Sequence, residues 1–513
     1  MADILDREIR RLAARDLPLA AELLREAIRI PHDYVNRPVE AGGDPLCGLS
    51  NHEGPRLLGL RNAIVQHRAV RDPQDVWFDA FGNLRWTVQD PSDGIAPADK
   101  KVIWLDGHSD TVRALRDGWR TKTGGGLDPY LGMVDAARVD REFVRGELGW
   151  LPADSDWHHL LWGRGSADQL AGVVSQVIAT RILLELAPHG ALKGAIVVGI
   201  ATVAEEDNDG GGPKHIVDCE LPGAAPERIP DVVVLTEGTG DAVKGALGIY
   251  RGQRGRMQIE VEVRGKSCHG SMPWMGLNPL EWGGRIVAEA AAAYERRDGF
   301  ADHAFLGHGT RTASWAHLDT PSDCAVPERL VLRFDRRLTV GEAPEQAVAD
   351  VEALPAVAEA RGAGLQVTVT VPQYRERTWA GRLADNPQIY PGWVTPEDHP
   401  AIAAAVEAYR RVVSPEVEDR PGPGGHLRKV PRVDRWIFST DGVGVPVPVD
   451  DTRFAVPAAK RWVVSGPVKH PAMFGIGAGV EQNTHKIGEN VDLRELRFAI
   501  AAIARFVPLF AGS

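Results

Sequence analysis

Three short, nearly unbroken apolar runs, "KVIWLDG", "GAIVVGIATVAEE" and "PDVVVLTEG", alternate with helical patterns such as "GVVSQVIATRILLEL". Strands that lack a polar alternate are covered on both faces, and strand–helix alternation of this kind builds a mostly parallel central sheet. The polar groups "DGHSD", "EED" and "TEG" all follow the apolar part of a run. In open α/β sheets, ligands sit beyond the carboxyl ends of the strands, which is where these groups would emerge.

The texture changes near Gly248. "GRMQIEVEVRG" alternates Met257, Ile259, Val261 and Val263 with polar residues, the period of a half-buried strand. A helical stretch, "NPLEWGGRIVAEAAAAYERR", strands around "TRTASWAHL" and "RLVLRFDRRL", a helix "APEQAVADVEAL" and a strand "LQVTVTV" follow. That βαββαβ order is ferredoxin-like. After Gln373 the earlier patterns resume in "HPAIAAAVEAYRRVV", "AMFGIGAG" and "DLRELRFAIAAIARFV". The expected architecture is an α/β catalytic domain of residues 1–246 and 374–513, interrupted by an inserted ferredoxin-like lid or dimerisation domain of residues 247–373. Such a division suits 513 residues, more than one core usually supports. Gly/Pro/charge-rich tracts at 128–156 and 416–431 read as added loops.

A formal charge of -11 disfavours nucleic acid and anionic membrane surfaces and leaves small molecules as the expected partners. Cys47, Cys219, Cys268 and Cys324 are scattered without a C-x-x-C pair, as reduced thiols in a cytoplasmic protein would be. "MADILDREIRRLAARD" reads as an amphipathic surface helix rather than a secretory signal, and no window is apolar enough to span a membrane.

Taken singly, each polar group has a plain reading. His108 and Asp110 fit a polar turn, Asp168 in "WGRGSADQLAG" fits a helix cap, and Glu205 and Glu206 fit a solvated acidic loop. Glu237, and His485 in "GVEQNTHKIGEN" with Glu489 four residues on, are equally ordinary alone. Together they set imidazoles and carboxylates just beyond the apolar runs of one sheet, a coincidence that points to a site. Two imidazoles with three carboxylates suit two zinc ions sharing a bridging carboxylate, and a spare carboxylate suits a general base.

In order, "DGHSDTV", "GRGSADQ", "AEED", "TEGT" and "THKIGEN" resemble the metal motifs of the di-zinc amidohydrolase and exopeptidase family that includes acetylornithine deacetylase, succinyl-diaminopimelate desuccinylase, aminoacylase and glutamate carboxypeptidases. The segments "YRGQRGRMQIEVEVRGKSCHGSMPWMGLNP" and "CAVPERLVLRFDRRLTVGE" look like the YgeY-type, selenium-metabolism-linked hydrolase subgroup. The resemblance implies one metal on His108, Asp168 and Glu237, and a second on Asp168, Glu206 and His485, with Asp168 as the bridge. It implies that Asp110 orients His108, that Glu205 moves the proton of the attacking water to the leaving amine, and that the Asp168–Gln169 peptide is cis. It further implies a homodimer in which His269 of "SCHGSMP" reaches the partner's active site and holds the carbonyl oxygen. Arg337 and Arg377 are candidate clamps for a substrate carboxylate.

The chain departs from that pattern in three places. His108 and Asp168 lie 60 positions apart, so the stretch around 131–160 is expected to form a loop near the site, with His158 and His159 as structural or rim residues. A second extra stretch lies at 445–469, and "HKIGEN" puts Lys486 beside the final ligand. The expected activity is metal-dependent hydrolysis of an N-acyl amino acid or small dipeptide-like amide with a free carboxylate. Zinc comes first, with cobalt or manganese able to use the same donors. The rival chemistry is hydrolysis of an N-carbamoyl or other unusual C–N bond, and the rival class is a non-catalytic metal-binding scaffold, against which the retained Glu205 argues.

Overall fold

The computed structural model describes residues 2–30, 53–132, 135–419, 425–453, 460 and 462–512. Cys47 and parts of the 131–160, 416–431 and 445–469 loops lie outside the described residues.

A nine-stranded sheet organises the larger unit. At its centre Ala195–Thr202, Lys101–His108, Val232–Leu235 and Ala472–Gly475 lie side by side and parallel, so all four carboxyl ends open on one edge. Antiparallel strands close the flanks, among them Leu84–Gln89 beside Ala195–Thr202 and Ile249–Gln253 beside Ala472–Gly475. Both faces are covered. Ile103, Leu105, Val197 and Val234 pack under the helices Leu170–Glu185 and Leu493–Ala511, while Trp104, Val198 and Val233 meet Trp393 and Trp436 on the opposite face. Double coverage is the physical reason these runs carry no polar alternate until they end.

The helix Ala2–Ile28 corrects the surface reading of the first residues: Ile9, Leu12, Leu24 and Ile28 are fully buried in the main core. Among the described residues no helix is long and apolar enough to cross a membrane.

In the smaller unit, Gly255–Arg264 pairs antiparallel with Arg329–Leu338 and Gln366–Thr370, and Thr310–Asp319 lies on the outer edge beside Arg329–Leu338. Helix Pro279–Arg296 covers one face, and the second helical stretch divides into Pro344–Glu352 and Pro355–Gly362 because a proline restarts the chain after Leu354. Ile249–Gln253 belongs to the large sheet, whereas Ile389–Tyr390 pairs with the small one. On that strand membership we propose that the inserted unit runs from 255 to 390, a shift from the 247–373 expected above.

Gly475, at the carboxyl end of its strand, abuts Trp436 so closely that an added Cβ would stand 1.9 Å from Cη2 of the indole. Gly475→Ala should therefore destabilise the fold by about 1–3 kcal/mol through overpacking. The check is a lower urea midpoint at an unchanged m-value.

Candidate metal centre

Every proposed ligand leaves an end of the parallel sheet or a loop resting on it. His108 is the last residue of its strand and pairs in register with Thr202. The neighbouring strand stops at Thr202, and Ala204 then turns through a left-handed conformation (φ 61°) into the short helix Glu205–Asn208. The two adjacent glutamates therefore diverge as neighbours on a helix rather than by strand alternation. Glu237 lies two residues past Val232–Leu235. Asp168 precedes helix Leu170–Glu185 after the turn at Gly165, and the Asp168–Gln169 peptide is cis. His485 follows the turn Glu481–Asn483 and, like Ala204, holds a left-handed backbone (φ 61°) that its surroundings must maintain.

These side chains converge. His108 Nε2 lies 3.1 Å from Asp168 Oδ1 and 3.5 Å from Glu237 Oε2, and His485 Nε2 lies 3.0 Å from Asp168 Oδ2 and 2.9 Å from Glu206 Oε2. Two donor trios result, His108–Asp168–Glu237 and Asp168–Glu206–His485, each with its ligating atoms within 4.8 Å of one another. Asp168 belongs to both. Glu205 belongs to neither, with Oε2 3.8 Å from His108 Nε2.

The charge balance fits cations. Burial, reinforced by neighbouring acids, pushes the Glu205 carboxyl well above the carboxylate range and Glu237 up to about 7. His485 is half exposed; its partial desolvation opposes the charge, yet hydrogen bonds to Asp168 and Glu206 win and push it up to about 11. Burial likewise works against an ionised Asp168, but the two imidazoles hold it well below its usual value. The histidines are thus drawn into supplying positive charge that these buried acids lack. Oxygen and imidazole donors in trios with one shared carboxylate match a pair of divalent ions.

Asp110 touches more than His108. Its backbone carbonyl meets His108 Nδ1 at 3.1 Å, and its carboxylate accepts the N–H groups of Glu205 (3.2 Å) and Glu206 (2.9 Å). One side chain therefore ties both glutamates to the histidine strand. Three further groups were given no role from the sequence. Gln169 donates through Nε2 to Glu237 Oε2 (2.8 Å). Glu489 accepts the N–H groups of Ala167 (3.0 Å) and Asp168 (3.2 Å) and pairs with buried Arg164. Beneath His108, Asp106 is fully buried with no side-chain partner for its carboxyl, and burial pushes it up to about 7. Adjacency to Asp168, "HKIGEN" and "LDGHSD" were the available signals; their partners were not readable locally.

Beside the trios opens a cleft of about 320 Å³, lined by Glu205, Asp209, Arg256, Arg337, Phe438 and Ser439 among others. Arg337 stands on its wall, steadied by Asp335 (2.8 Å) and donating to Ser439 Oγ (2.9 Å). Arg256, absent from the sequence reading, joins it and pairs with Asp209. Arg377 does not: it is exposed on the hairpin Gln373–Arg377/Leu383–Pro387 and donates to the Gly381 carbonyl (2.8 Å). His269 is also remote from this cleft, exposed beyond the opposite end of the strand that starts at Gly255.

Residues 251–362 match a family described as "Peptidase dimerisation domain". Over 413 residues the chain is 33% identical to the YgeY protein of Escherichia coli K12, covering 78% of this chain and 85% of that protein. It is 27% identical over 188 residues to the succinyl-diaminopimelate desuccinylase of Polynucleobacter necessarius, covering 36% of this chain and 46% of that one. Among solved structures the fold is similar to the M20 family metallo-carboxypeptidase Sso-CP2 of Sulfolobus solfataricus, with a TM-score of 0.59 at 13% identity over 96% of this chain and 99% of that chain. It is also similar to human carnosine dipeptidase 1, with a TM-score of 0.57 at 14% identity over 99% of each chain.

The long interval between His108 and Asp168 forms a buttress. Trp119, Val144, Leu148, Trp157 and Trp162 make a separate apolar cluster on which Ile487 rests. Trp150 donates to Asn483 Oδ1 (2.9 Å), and Asn490–Asp492 pairs antiparallel with Leu160–Trp162. The inserted stretch thus grips both sides of His485. The rings of His158 and His159 touch at a tilt of 42° and join neither trio. Trp150→Phe should lower stability by about 1–3 kcal/mol, because it strands a buried amide oxygen. Thermal denaturation checks it, the melting point of Trp150→Phe falling below that of the unaltered chain.

Proposed function

The chain belongs to the M20 peptidase family and is a metallohydrolase, and from that premise we propose that it hydrolyses the amide bond of a small N-acyl amino acid or dipeptide-like substrate carrying a free carboxylate. The observation that carries this reading is Glu205: a buried carboxylate left over from both donor trios, beside them in a cleft of small-molecule size. A protein that only bound metal would have no use for it.

His108, Asp168 and Glu237 would hold one divalent ion and Asp168, Glu206 and His485 the other, zinc first, with cobalt or manganese able to use the same donors. When bound, such a pair supplies Lewis acidity, polarising the scissile carbonyl and lowering the pKa of water from about 15.7 toward about 7. Glu205 takes a proton from the attacking water onto its carboxylate as the new C–O bond forms. When the C–N bond breaks, the same carboxyl returns that proton to the leaving nitrogen. Burial stabilises the protonated form of Glu205, which suits a group that must carry a proton between two partners.

Arg337 would receive the substrate carboxylate at the cleft wall, with Arg256 adding positive charge beside it. The desuccinylase, carboxypeptidase and dipeptidase names of the relatives support a carboxylate-bearing amide substrate. The dimerisation-domain match supports a homodimer, and in it His269 of one subunit would donate to the developing oxyanion in the cleft of the other. We assign the reaction to the cytoplasm.

Metal-replete protein should hold close to two divalent ions per chain; fewer than about one by elemental analysis overturns the paired centre. Glu205→Gln should retain that metal and lose at least about a hundredfold in kcat on the best substrate of a panel of N-acyl, N-carbamoyl and dipeptide compounds. Unchanged turnover would remove Glu205 as the proton carrier. Mixing His269→Ala with His108→Ala chains should restore activity that neither has alone.

A further inference from the structure

The three most exposed large apolar side chains of the smaller unit lie on one loop and the first turn of the helix that follows it. Trp274 is 77% exposed, Met275 55%, Met272 40% and Leu280, just beyond, 48%. The loop is nevertheless firmly built. The Met272 N–H donates to the His269 carbonyl (2.9 Å), that of Met275 to the Met272 carbonyl (3.0 Å) and that of Gly276 to the Pro273 carbonyl (3.1 Å). Lys266 and Leu277 exchange backbone hydrogen bonds across its base, each 2.9 Å, and Cys268 Sγ donates to the Met272 carbonyl (3.3 Å). A rigid segment that presents an indole to water is shaped for something its own chain does not supply.

Three observations say what covers it. First, the loop is part of the His269 hairpin: the Ser271 N–H donates to His269 Nδ1 (3.1 Å), leaving Nε2 with the proton of the neutral ring, and Cys268–His269 pairs with Ala325–Val326. Second, it stands far from the metal cleft of its own chain. Arg256, on the cleft wall, and Arg264 mark opposite ends of one extended strand about 26 Å apart, and the loop begins beyond Arg264. Third, residues 267–279 carry no acid and no base except His269, so the loop can enter an acidic cleft without burying a charge, and it lies inside the 251–362 dimerisation match.

We propose that Trp274 enters the metal cleft of a second copy of this chain and walls the part that receives the apolar portion of the substrate. The inference rests on the reading that His269 works across a dimer, since the same hairpin carries both residues. The indole then supplies a broad, rigid apolar face at low conformational cost. Phe438 lines the receiving cleft and offers it an aromatic neighbour.

The test uses heterodimers purified through two different tags. One chain carries His108→Ala and His485→Ala and is labelled with 5-fluorotryptophan; the other is unlabelled and wild type, so added Mn²⁺ enters only its cleft. The Trp274 ¹⁹F resonance, identified by its loss in Trp274→Phe, should broaden on Mn²⁺ addition; a resonance that stays sharp overturns the proposal. If it stays sharp while His269→Ala and His108→Ala chains restore each other's activity, this inference alone fails; if those chains do not restore activity, the dimer reading fails with it. In kinetics on N-acetyl-L-leucine, Trp274→Ala placed on the His108→Ala chain should raise KM about tenfold, and the same substitution on the chain with the intact cleft should leave KM unchanged. Equal effects in both placements would make Trp274 an ordinary interface residue.

Discussion

Four parallel strands aim their carboxyl ends at one small volume, and the chain fills that volume with acids. Asp168, Glu205, Glu206 and Glu237 are all largely withdrawn from water there, and among the described residues two imidazoles join them. Like charges so placed must bind protons or bind cations. The left-handed turns, the bracing amides and the buttress around His485 all serve to hold these groups together against their repulsion.

The restraint is shared out among a few residues. Asp110 receives the start of the Glu205 helix on its carboxylate and meets His108 through its backbone carbonyl, so two strands are pinned by one residue. Gln169 holds Glu237 from the residue next to the shared ligand. Glu489 receives the turn that presents Asp168, and Arg164 offsets part of the cost of burying it. Each brace reaches its target through backbone N–H groups or an amide, but Asp110 and Glu489 are themselves buried acids, so this orientation is fixed at the cost of further negative charge.

Most of the architecture was legible because its signals are local. Apolar runs covered on both faces cannot hide their pattern, and strand ends are where their polar residues must appear. The ordered motifs therefore pointed to His108, Asp168, Glu206, Glu237 and His485, which the folded chain brings together. What stayed illegible depends on distant partners. The pairing of Trp150 with Asn483 spans 333 residues and that of Glu489 with Arg164 spans 325, so neither leaves a trace in either segment alone. The place of Arg377 outside the cleft lining was not readable because a charged strand looks the same whether it faces a cleft or solvent. The amphipathic first helix was misjudged because its charged face hides how completely the other face is buried.

The dependence of the Asp168 turn on Glu489 has a consequence for the order in which the molecule is made. A ribosome-bound chain that has emerged as far as Gly475 possesses every strand of the parallel core, yet lacks both His485 and the carboxylate that seats the shared ligand. Domains emerge amino end first, and contacts across more than three hundred residues form last. A nascent chain can therefore complete its sheet before it presents a finished pair of ion sites. Both donor trios close only when the fold that must discipline them is already in place.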